Sequence, residues 1–227
     1  MMGSVNIAID GPSGAGKSTI SREIARRLGL VYVDTGALYR AVGLYAFEAG
    51  ISRDEIKRIV DMLCNIVLDI KYVDSEQRII LNGRDVSDEI RKPEISMYAS
   101  DVSALPKVRE FLFDIQKDLA RANNAIMDGR DIGTVVLPDA QLKIFLTASV
   151  QERAKRRLDE LKLRKIEAEY EQVLEEMKQR DENDSKRAVA PLRPADDAVI
   201  LDTTGNTFEM SLNEVMTLIS ERLSDVL

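Results

Sequence analysis

An eight-residue segment near the N-terminus constrains the fold more than any other feature of this sequence. Residues 11–18 read Gly-Pro-Ser-Gly-Ala-Gly-Lys-Ser, a pattern of glycine, four residues, glycine, lysine and a hydroxyl residue. The apolar segment 5–10 before it predicts a buried strand, and the segment 17–28 after it has apolar residues at helical spacing. A strand, a glycine-rich turn and a helix in this order predict a phosphate-binding loop.

The residue types of this loop suit the phosphates of a nucleotide. Glycines let the backbone N–H groups point at a phosphate, and the N-terminus of the following helix adds its dipole. We expect Lys17 to reach the β- and γ-phosphates of ATP and Ser18 to ligate Mg²⁺. The expected nucleotide-binding residues are Gly11, Pro12, Ser13, Gly14, Ala15, Gly16, Lys17, Ser18 and Thr19. A chance glycine-rich turn is the alternative, and the flanking strand and helix argue against it.

Strand and helix patterns alternate along the rest of the chain. The segments predicted to be strands of one sheet are 5–10, 31–33, 125–128, 142–147 and 198–202. The segments predicted to be helices are 17–28, 37–49, 52–65, 93–122, 149–187 and 211–226. This alternation predicts an α/β protein with the P-loop NTPase fold, in which helices cover both faces of a five-stranded parallel sheet.

The segment 67–86 departs from this alternation. It contains two strand-like runs joined by a polar turn, followed by the tight-turn signal Asn82-Gly83. We interpret it as a small antiparallel β insert, an added substrate-binding piece outside the main sheet. The predicted division is core 1–62, insert 63–92, core 93–152, helical lid 153–187 and core 188–227.

Composition excludes several classes of site. The chain lacks histidine and has one cysteine, Cys64, which excludes Ser-His-Asp triads, Cys-His pairs and cysteine-based zinc sites. Any metal must therefore sit on oxygen ligands, which favours Mg²⁺. A net charge of −7 argues against nucleic acid as a partner, and no apolar run is long enough to cross a membrane. Because no signal peptide is recognisable, we expect a cytoplasmic protein, with a monomer as the default.

The third predicted core strand ends in a single acid. Asp128 is followed by Gly129, Arg130 and Asp131, and no Asn-Lys-x-Asp guanine-reading motif occurs in the chain. The pattern therefore favours a small-molecule kinase over a GTPase switch. We expect Asp128 to hold Mg²⁺ through water, with a solvated strand-end acid as the alternative.

Arginines dominate the segment that follows the fourth core strand. Arg153, Arg156 and Arg157 share one predicted helix face, and Arg180 and Arg187 come later. Phosphoryl transfer spreads negative charge over the moving group, so mobile cations that close over it would speed the reaction. We expect Arg157 in this catalytic role. A solvated helix face paired with glutamates is the alternative.

The acceptor stays open on these grounds alone. A nucleoside monophosphate already carries an anionic oxygen and needs positioning more than a general base. An alcohol acceptor would more often need a general base, and the carboxylate of Asp131 could serve as one. A nucleotide-dependent switch that only changes shape is a further alternative from another class.

Several longer stretches resemble the bacterial cytidylate kinase family. They are IDGPSGAGKST (9–19), DTGALYRA (34–41), LNGRDVS with Glu89-Ile90-Arg91 (81–91), MDGRDIGTVVLPDA (127–140) and RAVAPL (187–192). The resemblance implies transfer of the γ-phosphate of ATP to CMP or dCMP, which supplies pyrimidine nucleotides. It also implies a helical lid and an enlarged monophosphate-binding insert.

Site residues follow from the resemblance by position. The substrate-binding set is Thr35, Arg40, Ser100, Asp101, Arg109, Arg130, Asp131, Asp184 and Arg187. The catalytic set is Lys17, Arg130, Asp131 and Arg157, and the metal ligands are Ser18 and Asp128. Simpler alternatives are a helix cap for Asp34 and Thr35, a solvated turn for Arg40 and a surface ion pair for Arg109.

Overall fold

The computed structural model describes residues 4–74 and 76–224. In chain order its strands are β1 (Asn6–Asp10), β2 (Val31–Asp34), β3 (Leu68–Val73), β4 (Glu76–Leu81), β5 (Arg84–Asp85), β6 (Ala125–Gly129), β7 (Leu142–Thr147) and β8 (Val199–Asp202). Its α-helices are α1 (Lys17–Leu28), α2 (Thr35–Glu48), α3 (Ile56–Asp61), α4 (Pro93–Ser103), α5 (Pro106–Ala122), α6 (Val150–Leu163), α7 (Tyr170–Ser185) and α8 (Phe208–Leu223). Short helical turns cover Met62–Asn65, Glu89–Arg91 and Ile132–Val136.

A five-stranded parallel sheet with the order β2-β6-β1-β7-β8 forms the main layer. In register, Ile7 of β1 lies opposite Leu142 of β7, and Ile144 of β7 lies opposite Val199 of β8. Ile7 and Ile9 are fully buried, as expected for a strand covered on both faces. All five predicted core strands are present, and the predicted α/β fold is confirmed.

Two predicted helices are each divided in the structure. The segment 93–122 breaks between α4 and α5, because Pro106 has no N–H to donate and keeps Leu105 extended, with ψ 119°. The segment 149–187 breaks after α6, where Lys165 takes a left-handed conformation with φ 59°. Helix α1 has the predicted bounds, and Gly29 ends it with φ 66°.

Three other predicted helices begin at different residues, and the first is α2, which begins at Thr35 and not at residue 37. The glutamate of the Ser52–Glu55 capping pair does accept from the Ser52 N–H at 2.8 Å, yet α3 begins only at Ile56. Helix α8 begins at Phe208, three residues before the predicted start, because the Thr207 hydroxyl accepts from the Met210 N–H and caps the helix there.

The chain forms two compact units, one of Val31–Ala125 and the other of Val5–Leu30 with 126–224. The first unit contains a second, antiparallel sheet with the order β3-β4-β5, which we call the ribbon. Asn82 and Gly83 have positive φ in the turn between β4 and β5, as their sequence predicts. Buried side chains of the ribbon, such as Ile79 and Leu81, join the core formed by α2 and α4.

The second unit contains the glycine-rich loop, α1, and the arginine-bearing helices α6 and α7. These two helices pack on each other through a small apolar cluster of Ala154, Leu161, Val173 and Met177. Among the described residues, none of the helices has the length and hydrophobicity that crossing a membrane requires.

Candidate active site

The glycine-rich loop connects β1 to α1 and needs its glycines for different reasons. Gly11, Gly14 and Gly16 all have positive φ, at 148°, 75° and 91°. A Cβ on Gly11 would lie 1.9 Å from the carbonyl oxygen of Leu146, so no other residue fits there. A Cβ on Gly14 would lie 3.2 Å from the Cβ of Arg153. The loop thus lies against β7 and α6, and its shape is fixed by backbone as well as by sequence.

Lys17 begins α1 and is almost fully buried. Its Nζ donates a hydrogen bond of 2.8 Å to the carbonyl oxygen of Pro12, which places the ammonium group across the loop. Burial, followed by the nearby positive charge of Arg130, lowers the pKa of Lys17 to about 7. A bound polyphosphate would reverse this effect, because negative charge stabilises the ammonium form.

Ser18 and Asp128 form the oxygen-ligand pair of the site. The Ser18 hydroxyl donates to Asp128 Oδ2 at 2.5 Å, and Asp128 is buried near the carboxyl end of β6. A hydroxyl and a carboxylate side by side are ligands that suit a hard cation such as Mg²⁺. No cluster of three or more acidic or cysteine side chains able to hold a metal occurs among residues 4–74 and 76–224.

Asp10, at the end of β1, is a buried residue that the sequence analysis did not select. Its two carboxylate oxygens accept from the backbone N–H groups of Ile132 and Gly133, at 2.8 and 2.7 Å. Burial raises the pKa of Asp10 to about 6. These bonds fix the helical turn that follows Arg130 and Asp131. An acid that ends an apolar strand directly before a glycine-rich loop was the available signal.

Arg130, Asp184 and Arg187 form a buried charge cluster. Arg130 Nε donates to Asp184 Oδ2 at 2.8 Å, and Arg187 pairs with Asp184 Oδ1. Burial alone would raise the pKa of Asp184, but Arg130, Arg187 and Arg180 hold it below its usual value. Several guanidinium groups thus share the Asp184 carboxylate, while the carboxylates of Asp10 and Asp128 also act on Arg130. Asp131 is buried next to Arg130.

The three arginines of α6 have different partners. Arg153 is buried, donates to both carboxylate oxygens of Asp181 at 3.1 and 2.6 Å, and also donates to the carbonyl oxygens of Ser13 and Ala148. Arg156 donates to the carbonyl oxygen of Thr203 at 2.8 Å. Arg157 is about one-third exposed and pairs with Glu160.

Arg153 is therefore not the mobile cation that the sequence suggested. It connects the glycine-rich loop to α7 through one hydrogen bond to Ser13 and two to Asp181, because its position on α6 faces the interior of the unit. Arg157 retains the exposure that the expected catalytic role requires.

In the unit of residues 31–125, Arg40 lies at the start of α2 with Asp34. Asp34 caps the helix by accepting from the Ala37 N–H at 3.0 Å, and its other oxygen accepts from Arg40 Nη2 at 2.6 Å. The Arg40 Nε is buried and has no hydrogen-bond acceptor in the described part of the chain. Arg40 is thus not a solvated turn residue, and it carries a donor that an incoming anion would satisfy. Thr35 is buried beside them.

Arg109 of α5 is buried rather than placed in a surface ion pair. Its guanidinium donates to the carbonyl oxygen of Ser103 at 3.2 Å and lies 5.6 Å from the ring centre of Tyr39. The neighbouring Glu110 pairs with Lys107 instead. Burial of Arg109 is therefore inconsistent with the surface ion pair that the sequence left open.

Ser100 and Asp101 lie on α4. The carbonyl oxygen of Ser100 accepts from the Ser103 hydroxyl at 2.8 Å, and Asp101 pairs with Arg53 at 3.0 Å. Partial burial raises the pKa of Asp101, and Arg53 opposes this shift. The sequence analysis missed Arg53, because its distance from Asp101 in the chain gives no pattern.

Comparison with known proteins identifies the family. The cytidylate kinase family model matches residues 7–221. The cytidylate kinase of Caldicellulosiruptor saccharolyticus is 54% identical over 217 residues, 96% of each chain. That of Carboxydothermus hydrogenoformans is 46% identical over 228 residues, 98% of this chain and 100% of the relative.

Among solved structures, an uncharacterized protein from Eubacterium ventriosum aligns with a TM-score of 0.54 at 11% sequence identity. The alignment covers 96% of this chain and 99% of that one, and it supports the fold alone. The family match and the sequence relatives cover the glycine-rich loop, the ribbon and the arginine-bearing helices alike. This chain belongs to the cytidylate kinase family.

Proposed function

We propose that this chain transfers the γ-phosphate of ATP to CMP or dCMP, giving ADP and the corresponding diphosphate. The single observation that carries the proposal is membership of the cytidylate kinase family along residues 7–221. The geometry of the glycine-rich loop supports the reaction type, because it offers a positively charged, backbone-lined cradle for phosphate.

The donor phosphates are assigned to residues 11–19. Lys17 contacts the β- and γ-phosphates as a charged donor, and the N-terminus of α1 adds its dipole. Ser18 and Asp128 would hold Mg²⁺, which neutralises charge on the phosphates when it is bound. Arg153 fixes the loop through the Ser13 carbonyl, so that the cradle keeps its shape.

By their positions in the family motifs, Arg40, Arg109 and Arg130 are assigned to the acceptor phosphate. Arg40 has a buried Nε–H that awaits an acceptor, and Arg109 is held by Tyr39. Arg130 is held by Asp184 and lies next to Asp131. Planar guanidinium groups bind phosphate through two hydrogen bonds each, which suits the capture of a nucleoside monophosphate. An acceptor that is already anionic needs this positioning more than a base.

The rest of the acceptor is assigned by position in the family motifs. Thr35 helps to hold the substrate, and Ser100 and Asp101 face the base. Asp131 faces the acceptor phosphate and the base. Asp184 and Arg187 face the sugar. Arg157 is assigned to the transferring phosphoryl group, where it neutralises developing charge. The partial exposure of Arg157 and its single carboxylate partner support this role.

A coupled assay for diphosphate formation tests the proposal. Purified protein with ATP and Mg²⁺ is offered CMP, dCMP, UMP, AMP and GMP separately. We expect fast turnover with CMP and dCMP. The variant Lys17→Ala should lower turnover by about 10²–10³-fold, the usual effect of removing one donor to the transition-state charge. Lys143→Met is the matched control, because Lys143 is about equally buried but its ammonium group pairs with the Asp197 carboxylate and not with a loop carbonyl.

The outcomes separate the parts of the proposal. No turnover with any monophosphate would overturn the acceptor assignment, and turnover confined to UMP or AMP would replace it. Equal loss in the Lys17 and Lys143 variants would overturn the role of the cradle. The expectations of a cytoplasmic monomer that binds neither nucleic acid nor membranes stay predictions, as do the five parts of the chain.

A further inference from the structure

One face of the ribbon changes from apolar to polar along its length. Residues directly opposite each other in antiparallel strands place their side chains on the same face. The cross-strand pairs on this face are Leu68 with Leu81, Ile70 with Ile79, and Tyr72 with Gln77. The first two pairs pack on the core of the unit, whereas the third lies next to the β3–β4 turn.

The Tyr72–Gln77 pair contacts the backbone of β2. The Tyr72 hydroxyl donates to the carbonyl oxygen of Tyr32 at 3.0 Å. The Gln77 amide accepts from the Asp34 N–H at 2.7 Å and donates to the Asp34 carbonyl oxygen at 3.2 Å. Residues two apart in a strand present their backbone groups to the same edge, and β2 is the terminal strand of the main sheet. Two side chains of the ribbon thus occupy the place of a neighbouring strand.

Asp34 connects the ribbon to Arg40. Its backbone is held by Gln77, while its carboxylate caps α2 and binds Arg40. The arrangement is tight: a Cβ on Gly36 would lie 3.1 Å from Asp34 Oδ1 and 3.2 Å from Arg40 Nη1. A shift of the Asp34 backbone therefore moves the carboxylate that orients the guanidinium.

We propose that Gln77 and Tyr72 are positioning residues for Arg40, and that they couple docking of the ribbon to affinity for the acceptor phosphate. The inference rests on the proposed function, in which Arg40 binds the phosphate of CMP. Gln77 supplies both the donor and the acceptor that the Asp34 peptide needs, and a leucine of similar size supplies neither. The Tyr72 hydroxyl is protonated at neutral pH, and partial burial raises its pKa further, to about 12.

Steady-state kinetics of Gln77→Leu and Tyr72→Phe test this role. We expect Gln77→Leu to raise KM for CMP by about tenfold, the effect of losing one to two net hydrogen bonds, with KM for ATP and saturating kcat unchanged. Tyr72→Phe should give the same pattern with a smaller rise. In an Arg40→Ala background, Gln77→Leu should add no further loss of CMP affinity, because it acts through the missing guanidinium.

The matched control is Gln141→Leu. The Gln141 side chain also accepts from a strand backbone N–H, that of Asn6, at 2.7 Å, but it has no connection to Arg40. This variant should leave KM for CMP unchanged. Melting temperatures of all variants show whether stability alone has changed, and Tyr72→Phe keeps the test in force if Gln77→Leu does not fold.

Three results would overturn the inference. A wild-type KM for CMP in both Gln77→Leu and Tyr72→Phe would overturn this inference but not the proposed function. So would a further loss of CMP affinity when Gln77→Leu is added to Arg40→Ala. A wild-type protein that neither binds CMP in calorimetry nor phosphorylates it would overturn the proposed function and this inference with it.

Discussion

The glycine-rich loop and the α6–α7 pair both present hydrogen-bond donors that suit an anion. The donors of the loop are backbone N–H groups, whereas those of α6 and α7 are guanidinium groups. In the loop, three glycines with positive φ orient the backbone N–H groups, so the sequence of residues 11–18 determines most of the anion-binding geometry. In α6 and α7, the charge comes from guanidinium groups whose partners are distant in sequence, as in Arg153 with Asp181. The loop therefore offers ready donors, whereas the arginines already hold carboxylates with which a phosphate must compete.

The comparison teaches that an anion site is robust where the backbone forms it and adjustable where side chains form it. Backbone N–H groups cannot be redirected without refolding the loop. A guanidinium can exchange a carboxylate for a phosphate at little net cost, because each anion offers two oxygens that accept the parallel N–H bonds of the guanidinium. We expect this exchange of the partly exposed Arg157, which pairs with Glu160, and not of the buried Arg153.

The largest effect should come from Gly11→Ala. The added methyl group would lie 1.9 Å from the Leu146 carbonyl oxygen at a φ of 148°, so the loop or β7 must move. We expect a loss of about 3–5 kcal/mol in the free energy of unfolding, measured by urea denaturation. Gly29→Ala is the control, because it has positive φ but nothing within 4 Å, and should cost only about 1–2 kcal/mol. Equal losses would show that the close contact is not what fixes the loop.

The next effect separates two arginines of the same helix. Arg153→Leu leaves Asp181 and the Ser13 carbonyl without their donor, and should lower the free energy of unfolding by about 3 kcal/mol. Arg157→Leu removes a partly exposed pair with Glu160 and should change stability by less than about 0.5–1 kcal/mol.

Turnover should show the opposite order once stability is accounted for. At a temperature where both variants are folded, Arg157→Leu should lower kcat by about 10²-fold, because its cation meets the transition-state charge. Unchanged kcat in Arg157→Leu would remove it from the catalytic set. An Arg153→Leu protein with an unchanged free energy of unfolding would show that the contact of Arg153 with the loop does not stabilise the fold.

The smallest effect concerns pH. Because burial lowers the pKa of Lys17 to about 7, the free enzyme loses the positive charge of the loop as pH rises through 7. The value of kcat/KM for ATP should fall about fivefold between pH 7 and 8, the change in the protonated fraction of such a group. Saturating kcat should stay nearly constant, because bound phosphate holds the proton. In Lys17→Arg, whose side chain stays charged, any residual activity should lose this slope.

Much of the fold was predictable because it depends on local pattern. The five core strands, the bounds of α1, the ribbon and its Asn82-Gly83 turn all follow from periodicity and turn chemistry. The helix breaks at Pro106 and Lys165 were missed. Pro106 in the sequence was sufficient to predict the first break, whereas nothing in the sequence near Lys165 indicates its left-handed conformation.

The sequence by itself determined the fold class, the phosphate-binding loop and, through its longer stretches, the family. These properties depend on residues that are close together in the chain or on motifs in a fixed order. The tertiary structure alone decided the role of Arg153, the bonds of Asp10 to Ile132 and Gly133, and the contact of Gln77 with Asp34. Each of these joins segments far apart in the chain, and a side chain's partner at that distance is set by how the elements pack, which no local pattern encodes.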